Sequence, residues 1–166
     1  MPQFVHLHVH SQYSILDGQA SIQRLVDKAM ADGQPGIAIT DHGDMFGIKE
    51  FYNYVNKGKL KDKAADCEKR LEELRGGEAG AAEIADCEKQ LAELRRKLAF
   101  KPIIGCEVYV ARRRLHDKEG KPDQSGYHLI LLAKNLKGYH NLIKIVSKAW
   151  TEGFYMRPRT DRTEIE

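Results

Sequence analysis

The sequence predicts an α/β fold carrying an inserted antiparallel helical hairpin. Two observations support this. Short apolar runs alternate with helical patterns along most of the chain, which is the signature of a mostly parallel sheet covered by helices. Residues 57–99 break that alternation with a dense, repeated charge pattern typical of paired helices. At 166 residues the chain has the length of one ordinary domain. It can bury roughly two-thirds or more of its unfolded surface without staples.

Four runs read as strands: residues 4–9, 36–40, 102–110 and 127–133. Ser21 is the expected N-cap of a helix over 22–31, with Gly33 closing it and Ile22, Leu25, Val26, Ala29 and Met30 forming its apolar stripe. Further helices are expected over 45–55 and 136–150, the latter with Leu142, Ile143, Val146 and Ala149 inward. In parallel sheets, functional side chains gather at the C-terminal ends of strands. The connection between 110 and 127 shows no helical pattern. It holds Arg112-Arg113-Arg114 and a polar loop with Gly and Pro, so a hairpin is expected there. The last two strands would then be antiparallel, bringing His128 towards Glu107.

Residues 57–99 hold 11 Lys/Arg and 10 Asp/Glu but no aromatic residue and no Pro, and so do not read as core of the main domain. The run Ala65-Asp66-Cys67-Glu68-Lys69 recurs as Ala85-Asp86-Cys87-Glu88-Lys89. Apolar positions alternate spacings of three and four in both halves, the seam pattern of a coiled coil. The glycines at 76, 77 and 80 break the helix between them. Folding back there pairs Leu71 with Ile84, Cys67 with Cys87 and Ala64 with Leu91. The two cysteines read as small apolar knobs in the seam, with a redox pair as the alternative.

The net charge of +3 is far from that of a nucleic-acid-coating protein. No apolar run approaches the ~18 residues that cross a bilayer. Residues 1–10 lack the features of a signal peptide. Three cysteines without a secretion signal point to a reducing cytosol, hence a cytoplasmic protein.

The first strand reads Phe4-Val5-His6-Leu7-His8-Val9-His10. Alternation puts the three histidines on one face, and a row of imidazoles is costly there unless something ligates or hydrogen-bonds it. His8 and His10, nearer the strand's C-terminal end, are the stronger metal-ligand candidates. The second strand ends in Thr40-Asp41-His42-Gly43, where Asp41 is a candidate carboxylate for orienting a ligating histidine. Glu107 interrupts an apolar strand and needs a positive partner, a metal or a basic side chain. Cys106, on the opposite face, reads as packing. Hydrolase elbows, phosphate-binding glycine loops and Cys-x-x-Cys motifs are absent. What remains is a His/Asp/Glu set suited to zinc, manganese or iron, and several such ions together suit phosphoester hydrolysis.

Residues 4–11 with Tyr13-Ser14-Ile15-Leu16-Asp17-Gly18, Thr40-Asp41-His42-Gly43, the run 101–107, the run 127–133, and Glu152-Gly153-Phe154-Tyr155 with Arg157-Pro158-Arg159 together resemble the polymerase and histidinol phosphatase (PHP) domain. The form it resembles is the one that opens bacterial DNA polymerase III α subunits, and the likeness covers nearly everything outside 57–99. It implies a distorted TIM-like (β/α) barrel with up to three divalent metals at its strand ends. Carried over by position, the ligands fall on His8, His10, Asp17, His42, Glu107, His128 and Glu152. The family's closing Asp-x-His pair is not found before Glu166. The resemblance therefore implies residues 1–166 as the N-terminal part of a PHP domain within a longer polymerase subunit. It further implies DNA and other polymerase III holoenzyme subunits as partners. Two roles stay open: a metal-dependent 3′–5′ proofreading exonuclease, with Arg157 and Arg159 as phosphate contacts, or a structural module that docks a separate proofreading subunit.

Overall fold

A computed structural model of the chain describes residues 4–56, 59–77, 79–124 and 126–166. Met1–Gln3, Ser125, and Lys57, Gly58 and Glu78 of the expected helical stretch lie outside the described residues. The elements in order are α1 (Ile22–Ala31), β1 (Gly36–Ile39), α2 (Ile48–Val55), α3 (Lys59–Gly76), α4 (Ala81–Ala99), β2 (Lys101–Val110), α5 (Gly120–Gln124), β3 (Tyr127–Leu132), α6 (Leu136–Thr151), β4 (Arg159–Thr160) and α7 (Arg162–Ile165).

The fold is mixed α/β, built around the long strand β2. Its first half pairs in parallel with β1, Gly36 opposite Lys101 through Ile39 opposite Ile104. Its second half pairs antiparallel with β3, Gly105 opposite Leu132 through Val110 opposite Tyr127, as expected for a hairpin. On the edge away from β3, a lone parallel bridge joins His42 to Glu107, and β4 pairs with Tyr109 and Val110.

Packing follows the sequence stripes, except that Ile143 of α6, expected inward, is 37% exposed. Ile22, Val26 and Ala29 of α1 and Ile48, Phe51 and Val55 of α2 bury against Ile37 and Ile39 of β1. Leu142 and Val146 of α6 bury against Cys106 and Val108 of β2. Ser21 caps α1, its Oγ accepting from the Arg24 amide, and Gly33 follows with a φ of +74°. α3 and α4 run side by side in opposite directions: Arg70 reaches Glu83, and Arg95 reaches Glu68. Ala64, Leu71, Cys87 and Leu91 are buried between them, with the Cys67 and Cys87 sulfurs 3.8 Å apart as free thiols.

Three expectations need correction. Residues 4–9 do not form a regular strand. Ala38 N–H donates to His6 O and Thr40 N–H to Val9 O, so three residues on one side span two on the other. The slip leaves Val9 N–H to bond the Thr40 hydroxyl, as at a bulge. The helix expected from residue 45 begins at Ile48, because the Asp44 carboxylate takes the Phe46 amide and holds a turn there. The connection expected to lack helix contains α5, whose buried Asp123 accepts from the Glu119 amide and pairs with Arg113.

Candidate metal centre

The site is assembled around Glu107, a carboxylate only 2% exposed in the middle of β2. Strand alternation sends Cys106 and Val108 to the helix side and Glu107 and Tyr109 to the other. His128 lies directly opposite Tyr109 on β3 and therefore shares the Glu107 face, with Nδ1 against Glu107 Oε1. The irregular segment before Ser11 brings His8 Nε2 to 2.5 Å and His10 Nε2 to 2.7 Å from Glu107 Oε2. His42, bridged to Glu107 through the backbone, places Nδ1 3.3 Å from Oε1.

Asp17 completes the arrangement from a tight loop. Its Oδ2 lies 2.9 Å from His42 Nε2 and 3.7 Å from His10 Nδ1. The loop closes because Gly18 lacks a Cβ, which would sit 1.8 Å from Ser11 O. Asp41 is buried and pins the same loop, accepting from the Ser11 amide (2.6 Å), Ser11 Oγ (2.7 Å) and Ser14 Oγ (2.7 Å). Asp41 was expected to orient a histidine ring. Its bonds go instead to the serines that carry the Asp17 loop, and Ser14 Oγ in turn accepts from the His42 amide.

Three overlapping groups result: His8, His10 and Glu107; His10, Asp17 and His42; and His42, Glu107 and His128. Within each, the ligand atoms lie within 4.8 Å of one another. Hydrogen bonding alone satisfies this arrangement poorly. His8 Nε2 and His10 Nε2 are 3.1 Å apart and converge on one oxygen. His42 Nδ1 is buried with no hydrogen-bond partner. Convergent nitrogen and oxygen donors, with one buried ring nitrogen that makes no hydrogen bond, fit divalent cations such as zinc, manganese or iron.

The carboxylates are prepared for that role. Burial alone would raise the Glu107 carboxyl, but hydrogen bonds from His10 and His8 and the histidine charges outweigh it and hold it below its usual value. Asp17 is likewise held low, chiefly by its hydrogen bond with His42. Cys106, buried and facing away, has its thiol pushed well up by burial, as expected for a packing residue.

Two expected site residues do not join the cluster. Glu152 caps the C-terminus of α6 and turns back along the helix, 3.9 Å from Lys148 Nζ and 3.9 Å from His116 Nε2. Arg159 was expected to touch phosphate. It is 1% exposed and donates to four main-chain carbonyls, those of Gly153, Asp123, Leu115 and Asp117. Its donors are spent inside the fold. Arg157, by contrast, is exposed, with its guanidinium 4.8 Å from the Tyr109 ring centre.

Sequence reasoning overlooked Tyr109. Its ring stacks near-parallel on His42 (5.9 Å, 10°) and meets His128 edge-on (4.9 Å). The signal was available, because Tyr109 lies two residues beyond Glu107 in the same strand.

Residues 6–166 match the model of the PHP domain. The chain belongs to the PHP domain family. Within that family it is similar to the DNA polymerase III α subunits of Borreliella burgdorferi (38% identical over 99% of this chain), Treponema pallidum (40% over 95%) and Thermus aquaticus (38% over 96%). The chain spans about a tenth of the length of these relatives, 11%, 10% and 10% respectively. The histidines and carboxylates gathered around Glu107 form groups that could hold a metal ion, in agreement with a metal-binding family. Among the described residues, no helix is long and apolar enough to cross a membrane.

Proposed function

We propose that this chain is the N-terminal PHP module of a bacterial DNA polymerase III α subunit, working in the cytoplasm with DNA and the other holoenzyme subunits. In this reading the mixed sheet is part of a distorted TIM-like barrel, residues 57–99 are an insertion in it, and the module is a metal-dependent phosphoesterase that trims DNA 3′ ends. One observation supports the proposal above the rest: the buried Glu107 belongs to two of the three ligand groups, and His10 and His42 join the third to them, so the donors form one continuous cluster with room for up to three ions.

Zinc, manganese or iron bound there supplies Lewis acidity towards a phosphoryl oxygen and a lowered pKa for water. Glu107 fixes the four imidazoles in one constellation, and the buried Asp41 holds the Asp17 loop against it. His8, Asp17 and His128, with side chains 55%, 52% and 46% exposed, are the members open to solvent. Arg157 orients the scissile phosphate. Water oxygen bonds to phosphorus as the bond to the 3′ oxygen breaks, leaving a 3′ hydroxyl and a nucleoside 5′-monophosphate.

Elemental analysis of chain purified without chelator should find two or three equivalents of zinc, manganese or iron. The His8→Ala/His10→Ala pair should reduce that content and slow hydrolysis of a single-stranded oligonucleotide at least about a hundredfold. That factor corresponds to the several kcal/mol such an ion supplies. Metal near zero, with hydrolysis absent or equal in both proteins, would sink this reading and leave the docking module.

A further inference from the structure

A cleft of about 470 Å³ opens beside the ligand cluster, with Asp17, His42 and Tyr109 among its lining residues and Phe46, Trp150 and Phe154 forming an aromatic wall. Those three rings form a continuous strip. Trp150 and Phe154 stack at 5.6 Å and 25°, and Phe46 meets Trp150 at 6.2 Å and 42°. The strip is exposed: Phe46 by 67%, Trp150 by 43% and Phe154 by 46%. Single exposed aromatics are ordinary, whereas a contiguous strip beside a polar cluster marks a binding surface.

The platform is also fixed in place. Trp150 Nε1–H donates to Gly43 O at 2.8 Å, tying the indole to the turn that carries His42. Gly43 has a φ of +64°, and a Cβ there would meet the Pro158 ring at 2.7 Å. With its N–H already bonded, the indole offers ring surface rather than a donor. Arg157 also lines the cleft, its cation over the Tyr109 ring. The cleft thus combines aromatic faces, a cation and the ligand cluster, which is complementary to a planar base joined to a phosphate.

We propose that Phe46, Trp150 and Phe154 form a stacking platform for the terminal base of a single-stranded DNA end, seating its phosphate between Arg157 and the ligand cluster. This deepens the phosphoesterase reading and rests on it. Stacking accepts every base because every base has a π-face, as an end-trimming enzyme requires.

Trp150 is the single tryptophan of the chain, so its emission reports on the platform directly. The test titrates the whole chain with a labelled single-stranded oligothymidylate and with the same strand ending in an abasic 3′ residue. The intact strand should quench the tryptophan in step with binding. The abasic end should bind about tenfold more weakly and without quenching. Phe154→Ala should weaken the intact strand by a similar factor with metal content unchanged, and Phe46→Ala repeats the test at the other end of the strip.

Binding seen by anisotropy without quenching, or equal for both strands, overturns the proposal. So does the absence of binding by metal-loaded chain. A concentration-dependent dimer that Phe154→Ala dissociates would assign the strip to a second copy and overturn it too. Failure of the phosphoesterase reading looks different: quenching persists while metal and hydrolysis are missing.

Discussion

Arg157 and Arg159 stand two apart in one Arg-Pro-Arg run, and their fates differ completely. In an extended strand they would share a face. Met156 takes a φ of +61°, and Tyr155 N–H bonds back to Arg157 O, so the chain turns before β4 begins. Arg157 belongs to that turn and stays outside, whereas Arg159 opens β4 and is buried. Nothing in the composition of the run forecasts a left-handed methionine, which is why both arginines read alike in the sequence. The energetic consequence is testable. Arg159→Met would leave three buried carbonyls and one part-buried carbonyl without this donor, so urea denaturation should show a loss of roughly 3–5 kcal/mol. Arg159→Lys should recover only part of it, since an ammonium cannot reproduce the planar fork. Unchanged stability with weakened DNA binding would restore the phosphate role. Glu107 shows the opposite case. Its chemistry was legible because an acid inside an apolar strand demands a partner, and the structure surrounds it with four imidazoles.

At the scale of elements, legibility follows how local the determining interactions are. α1 could be read because its cap and stripe lie within its own residues. The α3–α4 pairing could be read because the three-and-four spacing and the repeat define both partners of the seam. The leading segment could not, because its slip against β1 depends on the Thr40 hydroxyl taking Val9 N–H, a bond between residues far apart in sequence. α5 escaped because its anchor is Asp123 reaching Arg113 and the Glu119 amide rather than an apolar stripe. The α3–α4 seam gives its own prediction. Leu91 is buried in it, and Leu91→Ala should cost about 2–4 kcal/mol of local stability. Because α3 and α4 bury their own separate cluster, amide hydrogen exchange should accelerate in those helices while β2 and β3 keep their protection. Equal acceleration throughout would mean that the two helices unfold only together with the sheet.

For the molecule as a whole, buried carboxylates of opposite character should shape stability across the acid range. Asp44 is pushed up to about 6 by burial. Its folded value lies above its unfolded one, so the folded state holds the proton more tightly. The cost of ionising it is absent below about pH 4 and fully present above about pH 6. Asp123 lies at about 2, lowered chiefly by its hydrogen bond with Arg113 and by the Glu119 amide. Its contribution is present above about pH 4 and is lost as pH falls towards 2. Asp161 has the same sign: burial would raise it, but the Leu115 and Glu164 amides hold it below its usual value. Lowering the pH from 7 should therefore first relieve the Asp44 cost and then, below about 4, withdraw the Asp123 and Asp161 contributions. Urea midpoints measured in steps from pH 7 to pH 3 on the parent chain, Asp44→Asn and Asp123→Asn would separate the two windows. Asp44→Asn should gain on the parent between pH 4 and 6 and converge with it below. Asp123→Asn should trail the parent near neutrality and close the gap only below pH 4. Parallel curves for all three proteins would mean that neither burial at Asp44 nor the Arg113 pairing at Asp123 survives in solution.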